Sequence, residues 1–141
     1  MAQPASVASD FKSINPLDFQ EFIESLKRRD PRYRNNLSQL NYAGYYCYVS
    51  SLENAGYALS HKDNEFGEHE LANVFSTVSG TGFYAVQDAL YRRDKLWLSC
   101  FSGLKGFYEQ FGFVTTRTEE NWISGGPDVI YMTYNRLRFK K

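Results

Sequence analysis

The spacing of apolar positions changes character along the chain. Phe19, Phe22, Ile23 and Leu26 recur at three- and four-residue intervals, which predicts one buried helical face. Asn15 suits the N-cap of that helix, Pro16 its first turn and Asp18 its positive end, and the helix ends before Pro31. A short helical or irregular stretch runs from Arg32 to Leu40; Arg28, Arg29, Arg32 and Arg34 read as a solvated basic face. From Tyr45 the period shortens. Tyr45 to Val49 and Gly56 to Leu59 are aromatic or aliphatic runs separated by the turn-forming Ser50 to Ala55, a hairpin pattern. Glu68 to Phe75 predicts a third strand, Thr77 to Gly82 a glycine turn, and Phe83 to Arg93 a helix that buries Phe83, Val86 and Leu90. Lys95 to Phe101 is a nearly unbroken apolar run, as expected of a strand covered by helices on both faces. Gly103 to Phe111 reads as an amphipathic helical turn, Gly112 to Val114 as the start of another strand, Gly125 to Asp128 as a loop, and Val129 to Tyr134 as the last strand.

This order predicts an α/β fold: a mixed, mainly antiparallel sheet of about six to seven strands, helices on both faces, and one strand-helix-strand crossover in its middle. A chain of 141 residues is one ordinary domain, long enough to bury about two thirds of its unfolded surface without disulfides or metals. Residues 1–10 are small and polar and are expected to be loosely held, leaving 11–141 as the domain. Sixteen basic and sixteen acidic side chains cancel, so no net field draws the protein to nucleic acid or to an anionic membrane. No run approaches the roughly twenty apolar residues of a membrane span, and Met1 to Ser9 lacks the pattern of a secretory signal, which reads as cytoplasmic. Cys47 and Cys100 sit in apolar runs and are expected to stay unpaired. Together with His61 and His69 they are too scattered to suggest a metal site. Aromatic residues make up 17% of the chain, so a small core gains much burial per side chain.

The glycine turn carries the first candidate chemistry. Gly80-Thr81-Gly82-Phe83-Tyr84-Ala85 satisfies the dinucleotide pattern G-x-G-x-x-G/A, but context opposes that reading. A dinucleotide fold requires an acidic residue about twenty positions further on, where this chain has Phe101-Ser102-Gly103. Successive amides at a helix start, with no Cβ in the way, suit a phosphorylated ligand instead. There is neither a G-x-S-x-G elbow nor a phosphate loop of the G-x-x-x-x-G-K-[ST] kind.

Thr77-Val78-Ser79-Gly80-Thr81-Gly82 resembles the acyl-CoA loop, R/Q-x-x-G-x-G/A, of the GCN5-related N-acetyltransferases; Thr77 stands where that family has a long Arg or Gln. Phe107-Tyr108-Glu109-Gln110-Phe111-Gly112-Phe113 is similar to the family's aromatic-Tyr-x-x-x-Gly-Phe ending, and Ile14 to Phe19 more loosely to its first strand and helix. The likeness spans Ser13 to about Arg136, with its distinctive residues between Glu70 and Phe113, and the chain's length is similar to that of small bacteriophage-encoded members.

The resemblance implies the acyl-CoA N-acyltransferase fold, acetyl-CoA as co-substrate, and transfer of an acetyl group to an amine by direct attack. It implies that acetyl-CoA lies between two splayed strands, held by Val74 and Phe75 on the strand edge and by Val78, Ser79, Gly80, Thr81, Gly82 and Phe83 around its pyrophosphate. Tyr108 is the implied general acid for the departing thiolate. The general base is expected on the third strand, where Glu68 and Glu70 share a face and His69 takes the other; Glu70 is the better placed. The acceptor, a small molecule or a protein, is left open, as is a homodimer. The alternative is a protein that keeps this shell and works by binding a partner: Thr77 departs from the pattern, and Phe83 and Tyr84 crowd the helix start.

Overall fold

Asn15 starts the first helix as its type predicts. Its Oδ1 accepts from Leu17 N at 2.8 Å, and α1 then runs Pro16–Arg29 with Phe19, Ile23 and Leu26 buried. The computed structural model describes residues 10–30, 37, 40–121 and 125–139; most of the Arg32 to Leu40 segment, the first nine residues and Trp122 lie outside them. The remaining elements are β1 (Phe11–Ile14), β2 (Tyr45–Ser50), β3 (Ala55–Asp63), β4 (His69–Ser76), α2 (Thr81–Arg92), β5 (Lys95–Phe101), α3 (Lys105–Glu109), β6 (Val114–Glu119) and β7 (Val129–Asn135).

The strands form one seven-stranded sheet in the order β1-β2-β3-β4-β5-β7-β6. Every pairing is antiparallel except β4 with β5, which α2 connects. This is the mixed α/β architecture expected from the alternation of runs.

Side-chain alternation along the strands divides the core into two layers. On one face Tyr57, Leu59, Leu71, Leu96, Leu98 and Met132 pack beneath α2 and α3. On the other, Cys47, Val49, Ala58, Ala72 and Phe75 pack beneath α1, where the Phe19 ring meets Tyr42 at 5.1 Å and Phe22 meets Phe75 at 5.3 Å. Gly56 makes that second layer possible: an added Cβ would sit 2.5 Å from the Phe75 ring and 2.7 Å from the Tyr48 carbonyl oxygen. The cysteines are free.

Three expectations are corrected. β5 is buried on the α2 face alone, because no described helix covers the other: Trp97 is half-buried and Ser99 exposed, and Trp97, Tyr131, Arg117 and Phe66 line an open groove of about 460 Å³ there. Helix α2 begins earlier than Phe83 and buries Ala85, Val86, Asp88 and Ala89, while Phe83 is 37% exposed and Leu90 only partly buried. The inward acid is Asp88. Its Oδ2 accepts from the Tyr57 hydroxyl and from Arg92 Nε at 2.8 Å, and the same guanidinium donates to the Phe11 carbonyl at 3.1 Å and lies 4.1 Å over the Tyr48 ring. Burial raises the Asp88 carboxyl above its ordinary range, opposed by the bonds from Tyr57 and Arg92. Among the described residues no helix is long and apolar enough to cross a membrane.

Candidate active site

The parallel seam between β4 and β5 is short. It consists of His69 opposite Leu96 and Glu70 opposite Trp97, after which β5 pairs only with β7, through Phe101, and β4 follows β3. A bulge helps part them: Asn73 takes φ 48°, and two β4 residues, Asn73 and Val74, face the single β3 residue Tyr57. Beyond Glu70, the β5 side of β4 therefore has no ladder partner among the described residues, and a gap opens toward the C-terminal ends of both strands.

The glycine turn closes one end of this gap. Gly80 adopts φ 90°, a left-handed conformation that glycine enters at little cost, and α2 starts at Thr81 without a side-chain cap. Thr81 N bonds Val78 O at 3.1 Å and Phe83 N bonds Gly80 O at 3.3 Å, so the turn uses two of its own amides; the amides of Ser79, Gly80 and Gly82 have no such bond among the described residues. The turn is tied to the β2–β3 hairpin. Thr77 N donates to Asn54 O at 2.8 Å, and Thr81 Oγ1 reaches Asn54 O at 3.1 Å and Val78 O at 2.7 Å. Thr77, at the position where the resemblance calls for a long polar side chain, is thus an anchor of the loop. Gly82 sits between the end of β4 and α3: a Cβ there would make ordinary van der Waals contact with Ser76 Oγ at 3.4 Å and the Phe107 ring at 3.9 Å.

That Phe107 contact brings α3 against the start of α2. Gly112, at φ 101°, ends α3 by reversing the chain, with Gly112 N on Glu109 O at 3.0 Å, and sends Phe113 into the core, where its ring lies 5.7 Å from that of Tyr108. Tyr108 is only 7% exposed, on the α2 face, and no described residue bonds its hydroxyl. Burial, with a smaller contribution from the Cys100 thiol, pushes its phenol well above the ordinary tyrosine value, so it stays a proton donor.

Glu70 lies on the opposite face. Its Oε1 accepts from the Tyr45 hydroxyl at 2.6 Å, under the α1 layer. Glu70 and Tyr108 therefore lie on opposite faces of the sheet, with the gap between β4 and β5 beside both strands. Val74 is half-buried on the α2 face, while the Phe75 ring belongs to the α1 layer, leaving its backbone alone to line the gap. Val78 is exposed, and the Phe83 ring rests 4.9 Å from Phe111. His69 Nδ1 is engaged with Ser60 O at 2.9 Å, and Glu68 Oε1 takes a bond from Asn64 at 3.0 Å. Sequence reasoning missed Tyr45, Asn54 and the Asn73 bulge; Tyr45 was visible only as one member of an aromatic run. Among the described residues no cluster of His, Cys, Asp and Glu is placed to hold a metal ion.

The arrangement fits a phosphorylated acyl thioester on three grounds: a glycine turn with amides that no described residue takes up, a β4 edge without a described ladder partner, and a tyrosine hydroxyl that bonds no described residue. No protein-family model matches the sequence, and no curated protein matches it. Solved structures do match. An acyl-CoA N-acyltransferase from Pseudomonas aeruginosa superposes with a TM-score of 0.66 at 15% identity, covering 89% of this chain and 99% of that one. Mutant forms of the spermidine/spermine N-acetyltransferase of Vibrio cholerae give 0.62 at 16% identity, covering 93% and 96%. A candidate streptothricin acetyltransferase from Bacillus anthracis str. Ames, solved in complex with acetyl coenzyme A, gives 0.53 at 14% identity over 65% and 62%. The chain has the acyl-CoA N-acyltransferase fold.

Proposed function

We propose that this protein is an acyl-CoA-dependent N-acyltransferase that moves an acetyl group from acetyl-CoA to an amine by direct attack, in a cytoplasmic setting. The observation that carries the reading is Tyr108 beside the parted strands, its ring packed on the α2 face and its hydroxyl bonded by no described residue. Within this turn the amides of Ser79, Gly80 and Gly82, which no described carbonyl takes up, bind the pyrophosphate at the positive end of α2. The free edge of β4 at Val74 and Phe75 offers backbone groups to the pantetheine arm, and the Val74 N–H stabilises charge developing on the thioester oxygen. Glu70 accepts the proton of the attacking amine from the α1 face, and Tyr108 delivers one to the departing sulfur from the α2 face. The acceptor amine is carried on a small molecule or a protein.

Calorimetric titration with acetyl-CoA, followed by product detection with a panel of primary amines and lysine peptides, tests the reading. Saturating heat at roughly micromolar ligand and acetylated product are expected. Absence of both heat and thermal stabilisation overturns it. That outcome favours the second reading, a partner-binding protein in which the exposed Val78, Phe83 and Tyr84 at the turn form the contact surface.

A further inference from the structure

Two tyrosines ahead of the hairpin reach the α1 face of β4 on either side of the point where it leaves β5. Tyr42 opens a single 3-10 turn, Tyr42–Gly44, and Tyr45 begins β2; their rings lie 6.4 Å apart at 66°. The Tyr45 hydroxyl donates to Glu70 Oε1 at 2.6 Å, and the Tyr42 hydroxyl accepts from Asn73 Nδ2 at 2.5 Å. Glu70 is the last β4 residue paired with β5, and Asn73 is the left-handed residue of the bulge. One aromatic pair therefore holds β4 both where it leaves β5 and at the bulge.

A carboxylate offers two oxygens, and here they are unequal. Oε1 is held by a short charge-assisted bond, whereas no described donor reaches Oε2. Tyr45 serves only as a donor, because burial and the Glu70 carboxylate raise its phenol far above the ordinary value. It cannot take up a proton from an amine. It can fix which oxygen of Glu70 does so.

We infer that Tyr45 is a positioning residue for acyl transfer, holding Oε1 of Glu70 so that Oε2 faces the incoming amine, while Tyr42 holds the bulge that sets the Val74 amide. The role rests on the acyltransferase reading and on Glu70 as the base. A structural tie alone would make the same contacts, so the test is a double-mutant cycle on Tyr45→Phe and Glu70→Gln. Tyr45→Phe keeps the ring and is expected to lower kcat about tenfold with the acetyl-CoA Kd within about twofold of wild type. Glu70→Gln is expected to lower kcat about 10²-fold, and adding Tyr45→Phe to it to cost less than about twofold more. Wild-type kcat in Tyr45→Phe, or the same tenfold loss on top of Glu70→Gln, overturns the positioning role and leaves the acyltransferase reading standing. A wild-type protein that acetylates no amine overturns both. A second readout is independent of turnover: the Tyr45 phenol, isolated as the absorbance difference from the matching Tyr45→Phe protein, should ionise at lower pH in Glu70→Gln. An unchanged midpoint also overturns the proposal.

Discussion

Removing the hydroxyl of Tyr108 takes away nothing that the described fold uses. The hydroxyl bonds no described residue and is not sealed from solvent, so Tyr108→Phe is expected to leave Tm nearly unchanged. Turnover is expected to fall by about 10²-fold or more with acetyl-CoA affinity nearly unaltered. Melting curves and single-substrate kinetics on the same sample decide: undiminished turnover removes Tyr108 from the mechanism, and a marked drop in Tm shows that the hydroxyl is structural. Asp88 differs at this scale. It is fully buried, and its Oδ2 is bonded to both Tyr57 and Arg92 in the network that ties α2 to β3 and β1, while its Oδ1 is sealed from solvent and bonds no described residue.

Among the elements, the β4–α2 turn owes its shape to its ties to the neighbouring hairpin. Thr81→Val preserves volume while removing the bonds to Asn54 and Val78, and is expected to cost about 1 kcal/mol of stability. The looser turn should also weaken acetyl-CoA several-fold in calorimetry; an unchanged Kd would show that the turn is held by its backbone alone. The same turn shows what was legible in the sequence. Its glycines and the strand and helix beside it follow from local pattern, as do the Asn15 cap, the β2–β3 hairpin and the Gly112–Phe113 ending, because each depends on neighbours within a few residues. The pairing of Asn54 with Thr81, of Tyr45 with Glu70 and of Tyr57 with Asp88 joins positions 27, 25 and 31 residues apart, and no local period encodes them. Phe83 departs from its expected burial for a related reason: α2 turns Ala85, Val86, Asp88 and Ala89 inward, and the Phe83 ring leans on Phe111, far along the chain. The bare face of β5 is likewise a matter of where α1 stops, which an apolar run cannot reveal.

For the molecule as a whole, the buried thiol and phenol groups set a limit at alkaline pH. Burial pushes Cys47 up to about 12 and Tyr42 up to about 12, from ordinary values of 9.0 and 10.0. Groups raised in the folded state favour folding fully below their unfolded values and lose that contribution as pH rises toward the folded ones. Thermal unfolding followed by circular dichroism is therefore expected to show Tm falling from about pH 9 to 12, with a shallower fall in Cys47→Ala. A Tm that is flat across that window, or a Cys47→Ala slope equal to wild type, refutes the assignment.

The short seam of β4 and β5 has a mechanical consequence. Among the described residues, two residue pairs are all that join β1 to β4 and β5 to β7 into one sheet. A guest lying along the separated strands would supply the missing rungs, acting as a keystone between half-sheets that otherwise meet at a corner. Its arrival should slow amide exchange in β4 and β5 together, even where only one of them touches it.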